Sequence, residues 1–352
     1  MRPIGRDGAK PTRVFLVDDS DASRAAIGRI LEAAGGVVIA GAARDGEEAL
    51  RDVLRLDPDI VFLDLQMPRM DGFTFLRLLM ARRPTPVVVV SSRSRRNDAF
   101  KALELGALDF VAKPERGASY ETIAAALLEK CELLRGLRRE NLGPGGGVAR
   151  ASLADLAEPE RLVAIGASTG GPQALQHLLS ALPGDLPVGF LVAQHMPERF
   201  TSAFAERIAR TSRFSAQEAA DGDVIAAGRV LVAAGGQHLE VLRDADGTLR
   251  AAVLPPSPGD LDKPCPSVDR LFASVARALG PRACGVILTG MGQDGREGVS
   301  SIKAAGGLTL GESKETAVVY GMPQAAAESG ALDEQLPLDG LAERIVRFGR
   351  GR

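Results

Sequence analysis

Residues Leu162 to Leu179 read LVAIGASTGGPQALQHLL. A run of small and apolar residues leads without a charge into Ser168, two glycines and a proline follow, and apolar residues then recur at helical spacing. This is a buried strand turning sharply into a helix, the repeating unit of parallel α/β sheets. Gly166, Gly170 and Gly171 let the backbone turn and approach a substrate closely. The first amides of the new helix are expected to face negative charge that develops beside Ser168. A serine so placed suits acyl transfer once a neighbouring base takes its proton.

Three histidines are available as that base: His177, His195 and His238. His195 ends another apolar run, VGFLVAQH, at the C-terminal edge of a strand, where open parallel sheets collect their sites. His177 falls inside a helix and His238 in a glycine-rich turn. The acid expected to orient His195 is Asp294 in LTGMGQDG, directly after the apolar run ACGVILTG and before the helical REGVSSIKAAG. Asp221 and Asp223 in EAADGDV compete from a surface turn. Glycines at 290, 292 and 295, with Met291, also leave a backbone amide free to face an oxyanion.

Two other readings of the glycine-flanked serine are weaker. The pattern from Gly166 to Gly170 matches the nucleophile elbow of α/β-hydrolases, whose triad runs serine, acid, histidine. That order would make His238 the base and leave Asp294 without a role. The order serine, histidine, aspartate is a separate solution of the same chemistry. A dinucleotide cradle fails on spacing, because glycines at 166, 170 and 171 do not make G-x-G-x-x-G.

The length of 352 residues suggests two domains, and 45% hydrophobic with 25% charged residues is ordinary for soluble globular protein. A net charge of -2 gives no electrostatic case for nucleic acid. Cys131, Cys265 and Cys284 are widely spaced and form no CxxC, so reduced structural thiols are expected rather than a disulfide framework or a zinc site. The opening MRPIGRDGAK is polar, and no stretch approaches the ~18 uninterrupted apolar residues of a membrane span. A cytoplasmic protein, not inserted in a membrane, is expected.

The N-terminal part alternates apolar runs (RVFLVDD, VVIAGAA, DIVFLD, PVVVVSS, ALDFVAKP) with amphipathic stretches such as DGEEALRDVLRL. That alternation predicts five parallel strands covered on both faces by helices. Asp18 and Asp19 end the first strand and Asp64 the third, and in a doubly wound sheet those ends lie side by side at the switch point. Three clustered carboxylates repel, and a hard divalent cation such as Mg²⁺ relieves the repulsion with oxygen ligands. Lys113 after the fifth strand and Ser91 after the fourth complete an anion acceptor. The plainer alternative makes these residues caps of strand ends and helix starts.

The set Asp18, Asp19, Asp64, Ser91 and Lys113, with MPRMDG (Met67 to Gly72), resembles the receiver domain of bacterial response regulators. The resemblance implies a five-stranded, doubly wound, flavodoxin-like domain in which Asp64 accepts a phosphoryl group from a chemotaxis histidine kinase. It implies Mg²⁺ held by Asp18, Asp19, Asp64 and the Gln66 carbonyl, phosphoryl oxygens bound by Ser91 and Lys113, and Phe110 as the aromatic switch residue.

After this domain, residues 12–133, glycine and proline with no sustained period (NLGPGGGVARASLADLAEPE) predict a linker over 134–159. Residues 160–348 then form a second parallel α/β domain of Rossmann-like type. Its segments IGASTGGPQAL, VAQHMPERFTSAFAERI, EAADGDVI, PSVDRLF, LTGMGQDG and VVYGMPQAA resemble the catalytic domain of chemotaxis protein-glutamate methylesterases. The resemblance implies a triad of Ser168, His195 and Asp294, with Thr169 and the Met291 backbone at the oxyanion site. It implies hydrolysis of glutamate γ-methyl esters on chemoreceptors with release of methanol, deamidation of receptor glutamines, no cofactor for the hydrolysis, and recruitment to cytoplasmic receptor arrays. Phosphorylation at Asp64 would then relieve the receiver's hold on the catalytic crevice. The family often carries arginine just before PSVD, where this chain has Cys265 and Pro266, and APGG where this chain has AAGG (Ala233 to Gly236, with Ala234 for the proline), departures that bear on receptor preference.

Overall fold

The computed structural model describes residues 10–91, 98, 101–103, 105–114, 117–134, 158–198, 200–260 and 263–352. The chain divides into two compact units, Met1–Pro144 and Gly145–Arg352. The expected linker, 134–159, lies outside the described residues except at its ends.

The first unit is a parallel sheet of β1 (Thr12–Val17), β2 (Val37–Ala43), β3 (Ile60–Leu63), β4 (Val87–Ser91) and β5 (Asp109–Ala112), in the order β2-β1-β3-β4-β5. Four helices are described with it: α1 (Asp21–Ala33), α2 (Gly46–Leu56), α3 (Gly72–Arg82) and α4 (Ala124–Leu133). Every residue of β3 and β4 is buried, which is why they read as unbroken Val, Ile, Leu and Phe rather than alternating. Ser20, Asp45 and Asp71 cap α1, α2 and α3 by accepting amides of their first turns. Val17 pairs with Leu63, so the residues after them, Asp18 and Asp64, emerge together at the sheet's C-terminal edge. Ser91 pairs with Ala112, and the Lys113 amide donates to the Ser91 carbonyl at 2.7 Å.

The second unit contains β6 (Arg161–Ala167), β7 (Val188–Gln194), β8 (Ser215–Glu218), β9 (Arg229–Val232), β10 (His238–Arg243), β11 (Leu249–Leu254), β12 (Ala283–Ile287), β13 (Leu308–Glu312) and β14 (Glu334–Leu336). Its helices are α5 (Gly171–Ala181), α6 (Thr201–Thr211), α7 (Val268–Leu279), α8 (Arg296–Ala304), α9 (Met322–Glu328) and α10 (Leu338–Gly349). Seven strands form one parallel sheet in the order β14-β13-β12-β6-β7-β9-β8. The chain winds outward from β6 in both directions, which makes the β6/β12 boundary the switch point where a crevice opens.

Beside the expected parallel sheet, β10 and β11 pair as a separate antiparallel hairpin. His238 begins β10 rather than sitting in a turn. The cause is legible afterwards. HLEVLR and LRAAVL flank the turn DADG, and Leu239, Val241, Leu249 and Ala251 are buried in a core shared with Leu271, Phe272 and Val275 of α7.

Candidate active site

Ser168 follows β6 and is 6% exposed. Its amide donates to the Thr289 carbonyl at 3.0 Å, and its own carbonyl accepts from the Gly171 amide and from Gln194 Nε2, each at 2.8 Å. Gly170 has φ 78°, a left-handed conformation that side chains rarely adopt. At Gly290, a Cβ would stand 2.8 Å from the Ser168 Cβ, so glycine is required for the Leu288–Gly292 loop to lie against the serine. Two positions of the first turn of α5 offer the serine hydroxyl no amide, because Gly171 spends its amide on the Ser168 carbonyl and Pro172 has none. Thr169 is buried, with its carbonyl accepting from Thr289 Oγ1 at 2.9 Å. Among the described residues, the Met291 amide makes no hydrogen bond within the protein, and its residue is 38% exposed at the loop's tip.

His195 follows β7, whose Gln194 pairs with Ala167, so the imidazole and the serine leave neighbouring strands at the same level. Its Nε2 lies 2.8 Å from Asp294 Oδ2. Asp294 lies in the loop after β12, the strand on the other side of β6. Asp294 Oδ2 also accepts the Val268 amide at 2.7 Å, while Oδ1 accepts the Asp269 amide at 3.0 Å and Ser267 Oγ at 3.1 Å. The carboxylate therefore caps α7 from outside that helix. Burial pushes its pKa up, but the His195 hydrogen bond and charge, with the Asp269 and Val268 amides, outweigh burial and hold it below the ordinary carboxylate range. Asp294 stays ionised at neutral pH.

The competing residues are occupied elsewhere. His238 is buried; its Nδ1 accepts the Ser267 amide at 3.2 Å and its Nε2 lies 3.6 Å from Asp260 Oδ2. Burial first, and the Arg270 charge second, hold its pKa below the usual histidine value, so it is a neutral core histidine. Asp221 accepts the Val253 amide, and Asp223 accepts from Gln217, the Ala220 amide and Arg229. His177 on α5 pairs with Asp339 at 2.7 Å. No disulfide joins Cys131, Cys265 and Cys284. Cys265 is half-buried, and burial, with Asp260 and Glu198 nearby, pushes its thiol pKa up.

Four residues escaped the sequence reading. Gln194 Nε2 donates to the carbonyls of both Ser168 and His195, tying the two loops together. Thr289 accepts the Ser168 amide on its carbonyl and the Val319 amide on its hydroxyl. Glu312, fully buried at the end of β13, accepts the Thr289 amide at 2.7 Å and Thr316 Oγ1 at 2.9 Å. Burial pushes its pKa up to about 7 against those two bonds. The signal was available: an acid ending the apolar run LTLGE is the same cue that picked out Asp64. Asp269, two residues into PSVD's helix, accepts the Gly295 and Gly298 amides at 2.9 and 2.6 Å.

In the first unit, carboxylate oxygens of Asp18, Asp19 and Asp64 lie within 4.8 Å of one another. Lys113 Nζ lies 2.5 Å from Asp64 Oδ2 and 2.7 Å from Asp18 Oδ2, and Asp19 is exposed. Burial pushes the Asp64 pKa up, aided by the Asp18 charge and opposed by Lys113. The Gln66 amide donates to Asp64 Oδ1 at 3.3 Å. Ser91 and Phe110 are both buried at strand positions beside this edge. A Cβ at Gly72 would stand 2.4 Å from the Asp64 carbonyl, which explains the glycine of MPRMDG. The helix caps are Ser20, Asp45 and Asp71, so the grouped aspartates are not accounted for by capping.

A receiver-like sheet with clustered aspartates, followed by a parallel α/β unit holding serine, histidine and aspartate on adjacent strands, defines a response regulator with a hydrolase as its output. Residues 14–124 match the response regulator receiver domain and residues 163–345 match the CheB methylesterase family. The chain belongs to the CheB methylesterase family. It is 65% identical to protein-glutamate methylesterase/protein-glutamine glutaminase 6 of Anaeromyxobacter dehalogenans, over 99% of each chain. It is 45% identical to the corresponding protein 3 of Geobacter sulfurreducens, covering 95% of this chain and 96% of that one. The crystal structure of the Thermotoga maritima CheB methylesterase catalytic domain aligns with a TM-score of 0.51 at 35% identity, covering 53% of this chain and 97% of that domain. No helix among the described residues is long and apolar enough to cross a membrane.

Proposed function

We propose that Ser168, His195 and Asp294 carry the protein-glutamate methylesterase and protein-glutamine glutaminase activity of this family member. The reading rests on the 2.8 Å pair of His195 and Asp294, held beside Ser168 by the pairing of Ala167 with Gln194. With Nε2 engaged by Asp294, Nδ1 is the nitrogen left to take the Ser168 proton. That is the reverse of the ring orientation in the chymotrypsin-type triad, with the same division of roles. The serine oxygen attacks the γ-carbonyl, and the tetrahedral oxyanion forms where the Met291 amide and Thr169 stand. The imidazolium gives its proton to the leaving methoxide oxygen, or to the leaving amide nitrogen of a glutamine, releasing methanol or ammonia, and water repeats the sequence on the acyl-enzyme. Asp294 keeps its negative charge throughout and fixes the tautomer.

The substrates are methylated glutamates and glutamines of chemoreceptors, and the protein works in the cytoplasm at receptor arrays. Asp64 accepts a phosphoryl group from the chemotaxis histidine kinase. Three carboxylates against one lysine fit a hard divalent cation, and Asp18, Asp19, Asp64 and the Gln66 carbonyl would hold Mg²⁺. Bound there, it supplies charge neutralisation for the incoming phosphoryl group. Lys113 and Ser91 bind its oxygens, and Phe110 responds to the change.

Ser168→Ala in the full chain tests the assignment. Methanol release from methylated receptor membranes is expected to fall by about 10⁵-fold or more, with thermal unfolding unchanged. Turnover retained by the folded variant would move the chemistry to another residue.

A further inference from the structure

Asp294 and Asp269 cap each other's helices. Asp294 precedes α8 and takes the Val268 and Asp269 amides at the start of α7, while Asp269 lies on α7 and takes the Gly295 and Gly298 amides at the start of α8. Neither amide pair has another acceptor within its own helix, because the first turn of a helix leaves its donors unpaired. The two helix N-termini meet closely: a Cβ at Gly298 would stand 2.7 Å from the Phe272 Cβ and 3.1 Å from the Asp269 Cα. Gly295, whose amide Asp269 holds, is covalently next to Asp294.

We infer that Asp269 is a positioning residue for the ester hydrolysis, holding the peptide beside Asp294 so that Oδ2 stays on His195 Nε2. This rests on the reading of Ser168, His195 and Asp294 as the triad. The geometry assigns the role because, among the described residues, Asp269 connects to His195 through Asp294, which it meets from both sides of the clasp. Its own amide binds Asp294 Oδ1, and its carboxylate binds the next residue's amide. Burial pushes its pKa up to about 6, with the Asp294 and Glu297 charges adding to the rise and the two accepted amides opposing it. Retaining a carboxylate at that cost is consistent with the acceptor being needed where it stands. What the position requires is an oxygen facing two amides, which asparagine also offers.

The test uses the full chain with a methylated receptor as substrate. Asp269→Ala is expected to lower kcat by about 10- to 100-fold with KM within about twofold, as a small displacement of a reacting group does. Asp269→Asn is expected to restore kcat to within about threefold of the parent, since its Oδ1 accepts the same amides. In an Asp294→Ala background, Asp269→Ala is expected to cost nothing further, because the residue acts through Asp294. Unchanged kcat in folded Asp269→Ala, failure of asparagine to rescue, or an additive loss in the double variant each overturns the proposal. If Asp269→Ala does not fold, Asp269→Leu, close in volume and without an acceptor, takes its place. A normal rate for Asp294→Ala alone would instead overturn the triad.

Discussion

The C-terminal edge of the first sheet gathers three carboxylates against one lysine, whereas that of the second gathers one carboxylate, one imidazole and one hydroxyl. Both edges arise in the same way, from parallel strands that end side by side at a switch point. They differ in how the charge is satisfied. Asp294 receives two helix amides, a hydroxyl and an imidazole, and its pKa is lowered. Asp64 is raised in pKa first by its burial and then by Asp18 beside it, against the opposing charge of Lys113. A site already balanced by protein dipoles suits chemistry on a neutral ester. One left with excess negative charge is suited to receive a cation and, with it, a phosphoryl group.

The largest expected effect breaks the balanced side. Asp294→Asn should cost about 10⁴ in kcat, because the amide favours the wrong tautomer of His195. Both Asp294 oxygens accept backbone N–H groups, so one amide proton of the asparagine must face a donor, and a loss of about 1–3 kcal/mol in stability is expected as well. Methanol release and urea unfolding measure the two losses; a variant that keeps its rate refutes the assignment. Next, Asp64→Asn should retain basal turnover but lose stimulation by a small phosphodonor with Mg²⁺, since no acyl phosphate forms. A bias of about 1.4 kcal/mol between two states is worth tenfold in population, so the lost stimulation is expected to be about tenfold or more. Stimulation that survives would remove Asp64 from the phosphoacceptor role.

Glu312 sharpens the comparison, as a buried carboxyl beside the balanced site without a cation. Its pKa rises from 4.5 to about 7 on folding. Between those values the folded protein holds a proton that the unfolded chain has released, so its contribution to stability is full below pH 4.5 and is lost as pH rises through 7. Glu312→Gln keeps acceptor and donor for Thr289 and Thr316, and should be more stable than the parent above pH 7 by up to about 3 kcal/mol. Urea midpoints at pH 5 and pH 8 read this, and parallel pH dependence in parent and variant would contradict it. Smallest of all, Asp221→Asn and Asp223→Asn are expected to change turnover by no more than about twofold, as surface turn residues do. A collapse in either would reopen the question of which acid serves His195.

Sequence alone determined the strands that carry the candidate sites, because fully buried parallel strands leave unbroken apolar runs and the polar residue ending each run stands at the sheet's C-terminal edge. Asp18, Asp64, Ser91, Lys113, Ser168 and His195 were all legible by that rule, and Asp294 by its glycine loop after the next run. Glu312 obeyed the rule and was missed only because β13 was not read as a strand. The β10–β11 hairpin, which stands apart from the parallel sheet, placed His238 on a strand in the core rather than in a turn. Tertiary structure decided the rest. That the Thr289 carbonyl takes the Ser168 amide, that Gln194 joins two loops, and that Asp269 and Asp294 cap one another depend on strand order and helix approach. Those contacts join residues as far apart as Ser168 and Thr289, and no local pattern of apolar period or turn chemistry encodes which orphan amide meets which carboxylate.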